Sequence, residues 1–491
     1  MISKIAKYTL IILLMTAYSV TFSAQERDSL NHYLKVAAEN NPKVKADFLA
    51  YKASLEKIPQ AAAYEDPELE IGVYIEPMDI IGGRQVADFT LMQMFPWFGT
   101  RKAAKTEASH MAKMAFEQFR ETRDMLYLEV YIQWYQLSRL QQQLINNQEN
   151  KKLLLQLKDL AIKRFASPTA GTSTSSSSTR ASSNTTTKTT GSIMGSSMGG
   201  MSGGTEAQQP TATTSKGSGS GMSGMSSEMG GSSSGMSDVL RIQLEIVELD
   251  DNIESLESEI KSEKAKFNSL LNRPADYVVH IPLEFVQTKF ILDEATAMAT
   301  IENQNPMLGM LTEEGLAYKA KAEMDKKMSY PMFGIGLQYM LNKKTNDPMF
   351  AMGSMNGKDM IMPMVSISIP IYRSKYKAQQ RESKFWRQVS EEKHANTLNE
   401  LQSELYKTKH LLNDASRKIA LYKKQENLAK TTYNLIVQEF VSGKSDLTNV
   451  IQVQRQLLDY QLKEAEAIAN YNTMAASMQK LFSFEALQEY N

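Results

Sequence analysis

Apolar residues recur along several stretches of the chain in alternating steps of four and three positions, with charged residues on the other faces. An apolar seam that repeats every 3.5 residues has to meet a partner helix, so this spacing predicts coiled-coil packing. The clearest seam consists of Ile242, Ile246, Leu249, Ile253, Leu256 and Ile260. The whole pattern predicts helices at about residues 28–58, 101–165, 238–272, 290–328, 373–440 and 445–487.

Two of these predicted helices are very long. Residues 101–165 and 373–440, as continuous helices, would each extend roughly 100 Å at a rise of about 1.5 Å per residue, which a compact domain cannot contain. The other helices are shorter, and two of them stacked end to end match one long helix. We therefore predict four helical rods per chain.

Four shorter segments alternate between apolar residues and polar or small residues with a period of two. They lie at about residues 67–76, 86–95, 331–341 and 361–371. In the last segment, Val365 and Ile367 share one face while Ser366 lies on the other. Such two-faced segments are typical of transmembrane β-strands, and a half-buried hairpin of a soluble domain is the alternative for each pair taken alone.

The number of predicted strands has a consequence for assembly. A membrane barrel needs at least about eight strands and leaves no free edge, so one chain cannot close one. A trimer would supply twelve strands, with twelve helical rods continuing from them. Other oligomers satisfy the same argument, but a monomeric channel does not.

The N-terminus predicts an export signal over residues 1–24. Lys4 and Lys7 are followed by an apolar run to about Val20 and by small residues that end at Ala24. This run is too short to span a bilayer as a helix, although an N-terminal anchor helix is the alternative. No later stretch of the sequence approaches the roughly 18 apolar residues that a membrane-spanning helix needs. We therefore expect any membrane crossing to use β-strands.

The remainder of the chain reads as two structural repeats, 25–272 and 273–491, the second including a linker. Landmarks recur in the same order: an Asn-Pro helix start, a proline 25 positions later, an aromatic strand exit and a Phe-x-Ser turn. They are Pro42, Pro67, Pro96 and Phe165 in the first half, and Pro306, Pro331, Pro370 and Phe440 in the second. This agreement predicts a tandem duplication.

Composition argues against several classes of function. Lys+Arg and Asp+Glu are equal at 55 each, so no net field favours nucleic acid, and the absence of cysteine excludes disulfides, thiolate metal sites and thiol catalysis. Two Gly-x-Ser-x-Gly sequences match the nucleophile-elbow motif of hydrolases. Both lie in low-complexity sequence without a preceding strand, so we treat them as false positives. The histidines lack ligand spacing: His32, His110, His280, His394 and His410. We expect neither an enzyme nor a cofactor.

These features together resemble the TolC family of outer-membrane efflux factors over about residues 26–488. The resemblance is carried by the repeat, the hairpins, the strand exits Phe95–Arg101 and Ile369–Arg373, and the turn Phe440–Leu447. It implies a mainly α fold with a small β part, in which long antiparallel coiled-coil helices form an α-barrel in the periplasm. Four transmembrane strands per protomer would form a twelve-stranded barrel in the lipid of the outer membrane. The implied partners are two further copies in a homotrimer, a periplasmic adaptor (membrane fusion) protein and an RND-type inner-membrane pump.

The resemblance also places two helix–helix turns at the periplasmic tip, where the family meets its adaptor and opens. Gly443 suits a tight reversal, and Ser445 is a candidate N-cap. Asp238 and Asp446 either line a cation-selecting mouth or place charge favourably at a helix N-terminus. The candidate tip or gate residues are Ser442, Gly443, Lys444, Ser445, Asp446, Ser237 and Asp238.

Residues 168–236 depart from the family pattern. They consist of Ser, Thr and Gly with few large apolar residues other than Met, so they predict a disordered insert at the periplasmic tip. Thioether sulfur is a soft ligand that favours Cu(I) and Ag(I), which makes these methionines candidate metal ligands, with compositional drift in a linker as the alternative. They are Met194, Met198, Met201, Met222, Met225, Met229 and Met236.

A second group of methionines lies around the last two predicted strands, and for Met360–Met364 we favour a packing role. The methionine content is similar to that of the CusC-like copper and silver branch, although the lipidation cysteine of many relatives is missing. We therefore predict a passive export duct for Cu(I), Ag(I) or other heavy-metal cations. A multidrug or small-molecule duct is the alternative, and a periplasmic coiled-coil scaffold is the alternative of another class.

Overall fold

The computed structural model of the chain describes residues 30–81, 83–166, 234–282, 285–290, 294–350 and 353–484. The predicted export signal lies outside these residues, and so does the predicted insert except for its last three positions. In these ranges the elements are, in chain order, α1 (Leu30–Asn40), α2 (Pro42–Ala62), β1 (Glu68–Val73), β2 (Asp79–Ile80), β3 (Gly83–Phe95), α3 (Thr100–Ala166), α4 (Ser234–Leu270), α5 (Glu294–Gln304), α6 (Pro306–Met328), β4 (Met332–Lys343), β5 (Met360–Ser368), α7 (Arg373–Val441) and α8 (Leu447–Leu481).

The chain divides into two units. One comprises Met1–Leu155 and Leu244–Asn491, and the other comprises Gln156–Gln243. Among the described residues, the second unit holds the C-terminal end of α3 and the N-terminal end of α4.

Two predicted helices are each divided by an Asn-Pro pair. The prediction of one helix over 28–58 is corrected to α1 and α2, and the prediction over 290–328 is corrected to α5 and α6. Proline has no N–H to donate and disfavours helical backbone in the residue before it, so the helix stops there and restarts at the proline. Asn41 and Asn305 have extended backbones and serve as N-caps.

Both asparagines also tie a helix start to a helix end. Asn41 Oδ1 accepts from Lys43 N at 2.9 Å, while its Nδ2 donates to Leu270 O at 3.1 Å. Asn305 repeats this arrangement with Met307 N at 3.0 Å and Leu481 O at 3.1 Å. Thus α2 begins where α4 ends, and α6 begins where α8 ends, which gives two pairs of helices placed end to end.

The predicted seams meet partner helices. Leu140 and Leu144 on α3 pack against Ile260 on α4, with Ile253 and Leu256 beside them. Residue numbers rise along one helix as they fall along the other, because Gln133 contacts Glu263 and Lys151 pairs with Asp250. The two helices are therefore antiparallel, and α7 packs in the same way against α8.

A buried seam runs along one side of α7, a helix of 69 residues. It faces α6 and α8, and much of the rest of the helix is exposed. The seam residues recur every three, four or seven positions: Ser383, Ser390, Thr397, Leu401, Leu405, Thr408, Leu412, Ala415 and Ile419. One seam on so long a helix leaves its opposite side without a partner in the described part of this chain.

The strands form one antiparallel sheet in the order β1-β3-β4-β5, and the short β2 pairs with the end of β3. Each hairpin comes from one half of the sequence, and the pairing of β3 with β4 joins them. All four predicted segments agree with an observed strand to within three residues at each end. The first and fourth strands end earlier than predicted, at Val73 and Ser368. β2 was not predicted.

The N-terminus of α4 differs from the prediction as well. The helix begins at Ser234, so residues 234–236 belong to the helix and not to the insert, and Ser237 does not open it. Extending an existing helix adds one hydrogen bond for each residue fixed, which explains why these three residues join it. None of the helices in the described ranges carries the apolar length that crossing a membrane requires.

Candidate functional site

One face of the sheet is apolar from edge to edge. The register aligns Leu69, Leu91 and Leu337 on three neighbouring strands, and Pro363 continues this row on β5. These side chains are largely exposed in the single chain, and even Leu337, in the middle of the sheet, is 49% exposed. Among the described elements, the strands make extensive contacts only with one another. An apolar surface of this extent marks an interaction with lipid or protein.

The opposite face is polar, with glycines and methionines among the polar residues. Asp88 and Gln338 are diagonal neighbours on it, and Gln338 Nε2 donates to Asp88 Oδ2 at 3.2 Å. The alternation that separates the two faces is the period of two in a β-strand, which the sequence displays directly. Other members of this face are Glu68, Glu70, Thr90, Met92, Met94, Gly334, Gly336, Met362, Met364 and Ser366.

The sheet has two unpaired edges within the described residues. β1 and β5 stand at its two ends, and each is paired on one side only. Their outer backbone N–H and C=O groups are therefore available to another strand.

An aromatic cluster lies where the strands meet the helices. The Trp97 ring stacks on Tyr330 and on Phe333, with ring centroids 5.2 and 5.8 Å apart. Phe98 is 83% exposed beside it. Amphipathic aromatic rings at the end of an apolar surface are typical of a membrane–water interface.

Two cations hold the strand exit beside this cluster. Arg101 Nε donates to Ala62 O, the last carbonyl of α2, at 2.8 Å, and its guanidinium lies 3.4 Å from the centroid of the Tyr64 ring. Lys327 Nζ donates to Gly99 O at 3.2 Å. These contacts fix the direction in which α3 leaves the sheet.

The predicted turn between α7 and α8 is a tight, exposed reversal. Gly443 has a φ of +79°, the left-handed conformation that favours glycine. Lys444 N donates to Glu439 O at 2.8 Å, and Gly443 N donates to Phe440 O at 3.1 Å. These two bonds form a Schellman motif, which closes the end of α7. Ser442 and Lys444 are exposed at this turn and available to a partner.

The N-cap of α8 is Asp446, which corrects the prediction of Ser445. The Asp446 carboxylate accepts from Leu447 N at 2.8 Å, and its backbone is extended, as a cap requires. Ser445 N instead donates back to Glu439 O at 3.3 Å, so Ser445 belongs to the closure of α7. This geometry gives Asp446 a capping role, and a role in a cation-selecting mouth stays a prediction.

The other predicted site residues are described only in part. Ser237 and Asp238 lie in the second turn of α4, one turn inside the helix and not at its cap. Met236 is exposed on the same helix. The remaining insert methionines, Met194, Met198, Met201, Met222, Met225 and Met229, lie outside the described residues. Within the described ranges, no three His, Asp or Glu side chains come together as metal ligands.

A polar network that the sequence did not reveal links three helices. Asn150 on α3 donates to Gln461 Oε1 and accepts from Gln454 Nε2, both at 3.1 Å. Gln461 Nε2 in turn donates to Glu426 Oε1 on α7 at 3.1 Å. Each member is an ordinary polar residue at an ordinary helical position, so only the packing of the helices brings the network together.

A pair of carboxyl groups ends this network. Burial, and next the hydrogen bond to Glu426 and its negative charge, raise the pKa of Glu464 to about 7, and Lys423 opposes this shift. Glu464 on α8 therefore holds a proton at higher pH than an ordinary glutamate.

The structure is similar to several solved channel structures. It aligns with the outer membrane protein VceC from Vibrio cholerae with a TM-score of 0.64 and 11% identity, over 94% of this chain and 97% of that chain. This is the TolC-like fold. The structure also aligns with CusC, whose crystal structures concern folding and transmembrane channel formation. For CusC the TM-score is 0.63 and the identity 12%, over 92% of each chain. For the CmeC outer membrane channel of Campylobacter jejuni the TM-score is 0.62 and the identity 10%, over 95% of this chain and 90% of that chain. No protein-family model and no curated protein matches the sequence.

The predicted fold class is thus confirmed: the chain is mostly helical with a small antiparallel sheet, in the TolC-like arrangement. VceC, CusC and CmeC are nearly equally similar to it, so the TolC-like fold does not select among them. The copper and silver branch therefore stays a prediction.

Proposed function

We propose that the chain is a subunit of a passive export duct in the outer membrane, and not an enzyme. The observation that carries this proposal is the sheet, which has one exposed apolar face, one polar face and two unpaired edges. An apolar outer face and a polar inner face are the properties of strands in a membrane barrel, where lipid covers one and water the other. The likeness of the fold to VceC and CmeC supports the same conclusion.

The edges support closure by further copies of the chain. β1 of one copy pairs with β5 of the next, a head-to-tail contact that forms a ring when the rotation closes. The helices also leave apolar side chains uncovered in the single chain. Leu421, Leu428 and Leu435 form an exposed stripe with a seven-residue repeat on α7, and Leu49 on α2 and Leu244 on α4 are exposed too. Three copies make twelve strands, so the proposed state is a homotrimer.

The helices then extend into the periplasm, where the duct meets a periplasmic adaptor and, through it, an RND-type inner-membrane pump. The exposed turn Ser442–Asp446 is the proposed adaptor contact, and Ser237 and Asp238 are proposed for the same role. A turn closed by its own backbone bonds presents side chains in a fixed geometry, which suits recognition by a partner.

For the exported substrate we propose Cu(I) or Ag(I), because thioether ligands select soft monovalent cations and the chain contains 30 methionines. A multidrug or small-molecule duct is the second candidate, since the TolC-like fold alone does not select a substrate. Deleting the gene and comparing growth on copper, silver and a panel of drugs separates them. Sensitivity to drugs alone would reject the metal assignment.

The duct itself is tested by one pair of neighbouring substitutions on β4. Leu337→Arg places a charge on the apolar face and should cost about 2–4 kcal/mol near the membrane midplane. Gln338→Arg places the same charge on the polar face and should leave assembly intact. Outer-membrane fractionation, cross-linking and planar-bilayer conductance provide the measurements. A water-soluble single chain, or equal tolerance of both variants, contradicts the proposal.

A further inference from the structure

All seven methionines of the described strands lie on the polar face of the sheet. Methionine is an apolar side chain that commonly fills gaps in cores, so as filler it would be expected on the apolar face as well. The register places none there. They are Met92 and Met94 on β3, Met332 and Met340 on β4, and Met360, Met362 and Met364 on β5. Packing alone does not explain this segregation.

Two of these side chains converge above a glycine. A side-chain carbon on Gly334 would lie 2.6 Å from Met94 Sδ and 3.2 Å from Met92 Sδ. Ser366 Oγ lies 3.3 Å from Met92 Sδ and 3.6 Å from Met94 Sδ. Because Gly334 has no side chain, two sulfur atoms and one hydroxyl share the space above it.

Met364 lies on the same face of the sheet, across β4 from this pair. Met92 and Met364 are both in register with Gly336, one on each neighbouring strand. Adjacent strands lie about 4.8 Å apart, so roughly 10 Å separates the two methionine backbones, and two flexible thioethers can meet across it above a glycine. Glu68, in register with Met92 on β1, adds a carboxylate to the same face.

We infer that Met92, Met94 and Met364 form a binding site for one soft monovalent cation, Cu(I) or Ag(I), above Gly334 and Gly336. Three thioether sulfurs are a soft ligand set that discriminates against hard cations. A thioether sulfur has two lone pairs, so a sulfur that accepts the Ser366 hydroxyl keeps one for the metal. The Glu68 carboxylate supplies negative charge nearby without competing as a soft ligand.

The location of this sheet methionine site rests on the proposed function, because the polar face reaches passing ions only if it lines the duct. A wetted barrel interior is ordinarily polar, and apolar thioethers there have no core to fill. The binding itself does not depend on transport, so the two proposals are tested by different readouts.

The test uses the full-length chain purified in detergent, with Ag(I) as the probe in chloride-free buffer. The insert methionines would also bind silver, so the background is a full-length variant in which all seven are replaced, as in Met194→Leu. This background should retain one tightly bound Ag(I) per chain, measured by elemental analysis after desalting. Adding Met92→Leu, Met94→Leu and Met364→Leu should weaken the affinity for Ag(I) by more than about 10–100-fold. Changes to residues that only support metal ligands already cost that much, and these three changes remove the ligands themselves.

Leucine is close to methionine in volume, so the triple variant should fold, and circular dichroism verifies this. The matched control replaces three methionines of the helices, Met114, Met125 and Met328, and should keep the bound silver. Absence of silver from the background, or equal silver in the sheet and control triples, overturns the site. Bound silver without conductance in planar bilayers would retain the site and reject the duct.

Discussion

The two halves of the chain agree where helices meet end to end and differ where helices turn back. Asn41 and Asn305 cap a helix start and bind the last carbonyl of another helix with the same two sets of bonds. By contrast, five residues separate α7 from α8, whereas 67 residues separate α3 from α4. A longer connection costs little because loop entropy grows only slowly with length, while an end-to-end joint tolerates no change in register. The joints are therefore constrained and the turns are free to diverge.

The largest effect should come from breaking one joint. Asn305→Ala removes an N-cap and leaves the Leu481 carbonyl without its partner, which should lower the free energy of unfolding by about 2–4 kcal/mol. Asn305 is 2% exposed, whereas Asn41 is half-buried, so water can replace more of what Asn41→Ala removes, and that variant should cost about 1 kcal/mol. Urea unfolding followed by circular dichroism at fixed protein concentration measures both.

Asn303→Ala, on the exposed side of α5, is the control for these variants and should be nearly neutral. Equal losses at Asn41 and Asn305 would mean that burial does not distinguish the two joints. A loss at Asn303 as large as at Asn305 would show that the cap is not the cause.

The turn between α7 and α8 provides the next effect. Gly443→Ala forces an L-residue into a left-handed backbone and should destabilise the chain by about 1–2 kcal/mol. Gly315→Ala on α6 is the matched substitution, because its nearest neighbour would be Ser390 Cβ at 3.7 Å, an ordinary contact. That variant should gain about 0.5–1 kcal/mol. Thermal unfolding compares the pair, and the same sign for both would contradict the backbone argument.

Asp446 can be used to separate its capping role from a role in ion selection. Asp446→Ala should cost about 1 kcal/mol, whereas Asp446→Asn should be nearly neutral, because asparagine caps as well as aspartate. The Asn variant also removes the negative charge. We expect the cation preference of this variant in planar bilayers to match that of the natural chain. A reduced preference would instead support a role of Asp446 in a cation-selecting mouth.

The smallest effect concerns pH. The pKa of Glu464 is about 7 in the folded chain and 4.5 as the ordinary value, so between these pH values the folded chain binds more protons than the unfolded one. Stability from this group is therefore greatest below pH 4.5 and declines as pH rises to 7. Glu464→Gln should remove that decline, so its advantage over the natural chain grows from pH 4.5 to 7 and then levels off. A constant difference across this range would contradict the raised pKa of Glu464.

The sequence predicted the features that depend on local periodicity. The alternation of Val365, Ser366 and Ile367 marked a two-faced strand, and the seam from Ile246 to Ile260 marked a coiled coil, because each period is a property of one element. The break at Asn41 could also have been predicted, because Pro42 cannot continue a helix. The helical pattern on both sides of it led instead to the prediction of one helix over 28–58.

The candidate site was predicted less well, because it depends on which elements become neighbours. Glu426 and Glu464 meet only when α7 and α8 pack in one register, and nothing local to either residue indicates the pair. Met92 and Met94 carried a usable signal: they lie at the same alternation as Thr90, on the polar side of their strand. Met360, Met362 and Met364 show the same alternation, and the packing role favoured for them concealed it.

The two unpaired sheet edges have a consequence for biogenesis. A single copy displays both edges, and backbone donors on an open strand will pair with any extended peptide they meet. Self-assembly and misassembly then compete for the same hydrogen bonds, and subunit concentration sets the outcome. On the route to the proposed homotrimer, the time spent as a lone subunit is therefore the vulnerable stage, because β1 and β5 stay open until neighbours arrive.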